Sequence, residues 1–140
     1  MKLLKHIALV LAFSPALMSE EQIYLIAHKD LPISQISTTE LMSLFLKKID
    51  HVGGKKLNFV QYRTGSRART GFARTYLNMT MDEESLYWRK LLVQRGARPP
   101  KSKKNKKIML KFISKHPDTI SYILDFMVLP SELKLLKVIP

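Results

Sequence analysis

The 140-residue sequence contains no cysteine. That excludes a disulfide scaffold, thiol catalysis and a cysteine-ligated zinc. It leaves the compartment open, because a chain of this length can close a core in an oxidising space without disulfides. Acids are scarce: eleven Asp and Glu face twenty-four Lys and Arg, a net charge of +13. Such an excess bears on solubility and partners rather than on fold, and nucleic acid, anionic lipid, acidic glycan and small anions are all compatible with it. The four histidines, His6, His28, His51 and His116, never stand three or four positions apart, so no metal motif forms. No serine sits in a Gly-x-Ser-x-Gly elbow and no triad partners stand out. Asp82, Glu83 and Glu84 lie at an expected helix start, where carboxylates favour the dipole. The expectation is a protein that is not an enzyme and needs no cofactor.

Long hydrophobic runs are also missing, apart from one. The opening residues carry Lys2 and Lys5, an apolar run from Ile7 to Leu17 broken by Ser14 and Pro15, then Glu20 and Glu21. This is the order of a secretory signal peptide, and the run is too short to span a bilayer comfortably. Residues 1–19 are expected to be removed and 20–140 to form one folded domain, periplasmic or secreted, with no transmembrane segment left. The leader holds two lysines and no acid, so the remainder keeps +11 of the +13.

At 46% hydrophobic residues the rest reads as globular. Residues 22–28, QIYLIAH, predict a strand buried on both faces. Ser37 and Glu40 have capping-box spacing, and Leu41, Leu44, Phe45 and Ile49 share one stripe of the helix that should follow. The chain then turns at Gly53 and Gly54 and returns as a strand over 57–62. Phe72, Ala73, Tyr76 and Leu77 give the next helix its apolar face, with Arg67 and Arg74 sharing another. Thr80 and Glu83 form a second capping box, opening a helix with Tyr87, Trp88, Leu91 and Leu92 that ends at Gly96. Residues 97–107 read as a basic loop. Ile108, Phe112 and Ile113 mark a helix that stops before Pro117. A strand over 118–123, an irregular stretch and a last strand over 133–139 complete the chain. Helices alternating with strands argue for an α/β protein with helices packed on a sheet.

Two basic stretches carry candidate chemistry. In RTGSRARTGF a strand ends, a Gly-Ser turn follows and a helix begins. The first amides of a helix lack carbonyl partners and carry the positive end of the dipole, so an oxyanion there is hydrogen-bonded and stabilised. The candidate anion site is Thr64, Gly65, Ser66, Arg67, Ala68 and Arg69, with Gly65 allowing close backbone approach and Arg67 and Arg69 offering charge-assisted forks. A plain helix cap at Ser66 with solvated arginines fits the same residues. The second stretch, Lys101, Lys103, Lys104, Lys106 and Lys107, is a candidate partner or polyanion surface, and equally a solvated loop. It has no interleaved aromatics and matches no nucleic-acid module, so nucleic acid is disfavoured.

Taken in order, ISTTELMSLFLKKI, a strand, GSRARTGF, YWRKLLVQRGARPP and HPDTISYI resemble the substrate-binding proteins of phosphate ABC transporters, especially small single-lobe relatives of this type 2 periplasmic-binding-protein class. The resemblance covers about residues 22–124. Leu44 to Lys48 match that family's "IFxGK" piece, with Lys47 where the family has glycine. Ser66 matches the serine of its Ser-Gly-Thr anion turn, Phe72 stands at the matching distance, and Arg67 and Ala68 replace the glycine and threonine. Pro117 to Ile123 resemble "PGAIGYV", with Asp118 and Ser121 in place of both glycines. The resemblance implies a single α/β lobe with a mixed sheet, binding phosphate or a similar oxyanion weakly or together with a partner. The alternative it leaves is a non-catalytic module docking onto another cell-envelope protein, or pairing with a second copy of itself.

Overall fold

The structure, a computed structural model, describes residues 22–140; the expected leader, 1–19, lies outside the described residues. The chain runs β1 (Ile23–His28), β2 (Gln35–Ser37), α1 (Thr38–Phe45), β3 (His51–Val52), β4 (Lys55–Lys56), β5 (Asn58–Tyr62), α2 (Arg67–Phe72), a π-helical turn (Ala73–Leu77), α3 (Met81–Arg95), β6 (Lys101–Lys103), α4 (Lys106–Lys115), β7 (Thr119–Leu124) and β8 (Leu133–Ile139). The main sheet has six strands in the order β2-β8-β1-β7-β5-β6, and β3 and β4 form a separate hairpin. β1 pairs antiparallel with both β7 and β8, while β2–β8, β5–β7 and β5–β6 are parallel. Every strand of this sheet except β1 therefore points the same way.

β5 to β6 steps outward across the sheet and β6 to β7 steps back past β5. Parallel crossovers are right-handed, so reversing the direction of travel moves the connecting helices to the other face. The run from α2 to α3 accordingly covers one face and α4 the other. β7, between them, is buried from Thr119 to Ile123 on both faces.

The core is aromatic on the α2 face. Phe72 stacks on Tyr122 with centroids 4.3 Å apart and planes 7° from parallel. Phe45, Phe59 and Trp88 surround this pair in tilted and edge contacts. Gly71 lets α2 lie close to β1, since a Cβ there would meet Ile23 Cδ1 at 3.3 Å.

Both capping boxes form: Ser37 with Glu40, and Thr80 with Glu83. Gly96 ends α3 in the left-handed region at φ +66°. Two expectations are corrected. Helix α1 stops at Phe45, so Ile49 lies beyond it on the surface instead of continuing the stripe. The basic stretch is not all loop, because Lys101–Lys103 pair with Val60–Tyr62 as an edge strand. Short, lysine-bearing strands of that kind suit an exposed edge. The strand β2 had no signal of its own, being three residues held by β8.

Lys47 adopts φ +58°, the left-handed region that favours glycine. Lys47→Gly is expected to stabilise the fold by about 1 kcal/mol, read from the urea midpoint; an unchanged or lower midpoint would contradict a strained backbone at that residue. A second expectation concerns alkali. Burial pushes the Tyr62 hydroxyl up to about 12 from its ordinary 10.0, and raises Tyr122 as well. Above pH 10 the unfolded chain gives up these protons while the folded one keeps them, so stability is full below about pH 10 and falls as pH rises toward 12. Urea midpoints between pH 9 and 11 should show that fall, and Tyr62→Phe should flatten it.

Candidate functional site

Three helices start where parallel strands end: α1 after β2, α2 after β5 and α4 after β6. Ser37, Ser66 and Asn105 cap them, each side chain accepting a hydrogen bond from the backbone N–H three residues on. The carboxyl ends of β5 and β6 lie side by side, with Arg63 N–H donating to the Lys103 carbonyl at 3.2 Å. Beyond them the chains diverge to opposite faces of the sheet, one through Thr64–Ser66 and the other through Lys104 and Asn105. A crevice outside the carboxyl ends of two such strands is where open α/β sheets bind ligands.

The charges follow this geometry. α1 has Glu40 in its first turn and α3 has Asp82, Glu83 and Glu84, whereas α2 and α4 have no acid in theirs. α4 even begins with Lys106 and Lys107, cations at the positive end of its dipole, an arrangement that disfavours the helix unless an anion is near. The two helices without acids are the two that flank the crevice.

Each sequence candidate has a definite place. Thr64 and Gly65 are exposed, Gly65 at φ +91° with open space where a Cβ would be. Ser66 N–H donates to the Arg63 carbonyl, and Ser66 Oγ accepts from Arg69 N–H at 3.1 Å. That hydroxyl keeps its own proton to donate. Ala68 packs inward at 7% exposure, and Arg67 is exposed. Lys104, Lys106 and Lys107 follow β6 and are exposed at the start of α4, whereas the Lys103 side chain turns away onto α4, its Nζ 3.9 Å from the centroid of the Phe112 ring. Lys101 begins β6 and so lies at the far end of the strand.

Arg69 does something the sequence did not suggest. Its guanidinium turns into the protein: Nη2 donates to Glu84 Oε1 at 2.7 Å, and Nη1 donates to Thr64 Oγ1 at 2.9 Å and to the Tyr62 carbonyl at 3.4 Å. Both terminal nitrogens are thus engaged in bracing the turn. Glu84 is 1% exposed, and its Oε2 and Arg69 Nε find no protein partner. The sequence marks Glu84 only as a carboxylate favourable to a helix dipole. The available signal was its place on α3, where Glu84, Trp88 and Leu91 form one buried stripe, so a carboxylate occupies a core position. Its partner, fifteen residues back on another helix, leaves no local pattern.

Among the described residues no group of His, Asp and Glu is placed to hold a metal, and no helix is long and apolar enough to cross a membrane.

No protein-family model matches the chain, and no curated protein matches its sequence. Solved structures do. An ABC-type phosphate transport receptor from Vibrio cholerae superposes with a TM-score of 0.65 at 14% identity, covering 84% of this chain and 46% of that one. A phosphate-bound structure from Clostridium perfringens, described as a phosphate ABC transporter substrate-binding protein, gives 0.62 at 15%, with 84% and 45% covered. PstS from Borrelia burgdorferi gives 0.62 at 19%, with 84% and 47%. The chain therefore has the mixed α/β fold of the phosphate-receptor class of substrate-binding proteins. It spans under half the length of these receptors, as one lobe of that architecture does.

The brace makes a sharp prediction. Glu84→Ala strands a buried guanidinium and should cost about 3–5 kcal/mol in chemical denaturation. Replacing both partners by apolar residues, Arg69→Met with Glu84→Leu, should recover most of that loss, since paired removal leaves no buried charge. A double variant as unstable as the single one would show that the pair matters for more than mutual neutralisation.

Proposed function

We propose that this chain is a non-catalytic, receptor-like lobe that binds an oxyanion such as phosphate in the crevice between the carboxyl ends of β5 and β6. The observation that carries the reading is that the two helices flanking this crevice begin without acids, one of them with two lysines, while the other two begin with one or more. The Thr64 and Ser66 hydroxyls and the first amides of α2 are the close contacts, and Arg67, Lys104, Lys106 and Lys107 supply the field. Arg69 acts at one remove, holding Thr64 and the Tyr62 carbonyl in place. The bound phosphate of the C. perfringens structure supports the ligand class.

This lobe alone binds weakly, and the facing wall of the crevice comes from a partner, an envelope protein or another copy. The leader-like pattern of residues 1–19 and the fold shared with substrate-binding receptors support a periplasmic or secreted location. Millimolar phosphate or sulfate is expected to raise the melting temperature. Ser66→Asp keeps a good N-cap but puts a carboxylate where the anion sits, so it should abolish the shift with the circular dichroism unchanged. Absence of any shift with any oxyanion at millimolar levels would overturn the reading.

A further inference from the structure

A groove of about 1070 Å³ lies at the opposite end of the sheet, where β5 and β7 begin at Asn58 and Thr119. It is about 13 Å along β5 from the anion crevice. Its rim carries Lys47, Lys48, Lys56, Arg98 and Lys101, all exposed. Among the described residues none of these five has a carboxylate within ion-pair distance. Two acids also line the groove: Asp50 Oδ1 lies 2.6 Å from His51 Nδ1, with the Lys56 charge near enough to favour its ionised form, and Asp118 accepts from Asn58 Nδ2 at 3.1 Å. The floor is apolar, made by Leu44, Leu57, Phe59, Val60, Pro99 and Pro100.

We propose that this groove docks an acidic segment of a partner protein, its carboxylates meeting the five cations and its intervening apolar side chains seated on the floor. Charge complementarity selects the occupant. A second copy of this chain would bring its own excess of positive charge, and a single oxyanion would use neither the spread of the cations nor the apolar floor. Nucleic acid lacks an open ring to stack on. The His116 ring stacks on Phe112 at 3.8 Å and Lys103 Nζ approaches the same centroid to 3.9 Å, which occupies both faces. Phe59 is buried, with Phe45, Phe72 and Tyr122 around it. Lys47 adds an independent sign. A lysine is kept at φ +58°, where glycine would relieve the backbone, and its side chain lines the groove. Residues in strained backbone of this kind cluster at ligand sites.

The proposal does not depend on the anion crevice, and its test uses different residues. A fluorescent peptide of alternating glutamate and leucine should bind the full chain saturably, more weakly as salt rises. Changing Lys47, Lys48, Arg98 and Lys101 to Glu should weaken it by at least about tenfold, and the milder pair Lys48→Gln with Lys101→Gln by less, with circular dichroism unchanged in both. Lys104→Glu with Lys106→Glu and Lys107→Glu, at the other end of the sheet, should leave peptide affinity nearly unchanged. Polyglutamate binding as tightly as the alternating peptide would remove the role of the floor and overturn the proposal. So would equal competition by a thymidine oligonucleotide, or peptide binding indifferent to the groove substitutions. Loss of the phosphate response alone would count only against the crevice.

Discussion

The ion pair of Arg69 and Glu84 joins α2 to α3 at 2.7 Å, and from the same guanidinium two further bonds reach the end of β5 and the turn beyond it. Three consecutive pieces of the chain are fixed by one side chain. Taking both charges out of water is costly, and the cost is repaid only where geometry and additional bonds are good. Here one nitrogen and one carboxylate oxygen have no protein partner. The pair is therefore better understood as setting the conformation of the Thr64–Ser66 turn than as a large net source of stability. Apolar burial supplies that instead, through Phe72, Tyr122, Phe45 and Phe59 packed beneath the same helix.

With the turn fixed, the charge distribution acquires a direction. Acidic first turns stabilise α1 and α3 in the ordinary way, and their absence from α2 and α4 leaves two positive helix ends uncompensated at one crevice. The lysines of residues 101–107, contiguous in sequence, are divided by β6. Lys104, Lys106 and Lys107 follow β6 at its carboxyl end, while Lys101 joins Lys47, Lys48, Lys56 and Arg98 at the other end of the sheet. The basic character of the chain is thus resolved into two separate surfaces with different floors: one of hydroxyls and amides, the other apolar.

Much of the fold was legible because its signals are local. Capping boxes at Ser37 and Thr80, the stop at Gly96, and the doubly buried runs of β1 and β7 depend on residues a few positions apart. The edge strand β6 and the short β2 were not legible, because a three-residue strand has almost no pattern and exists only through its neighbour. Ile49 misled for the related reason that helical periodicity continues past the point where Lys47 takes a left-handed backbone and ends the helix.

By itself, the sequence determined the helices and the longer strands, the receptor-like order of motifs, and the presence of a Gly-Ser turn ahead of a helix. These rest on hydrogen bonds and burial patterns within about one or two turns of chain. Only the tertiary structure decided that Arg69 faces inward to Glu84, that the Thr64–Ser66 turn and the start of α4 lie at the same end of the sheet, and that Lys101 lies at the other. Those facts follow from the reversal of strand order at β5 and β6, a long-range pairing between residues some forty positions apart that no local pattern encodes.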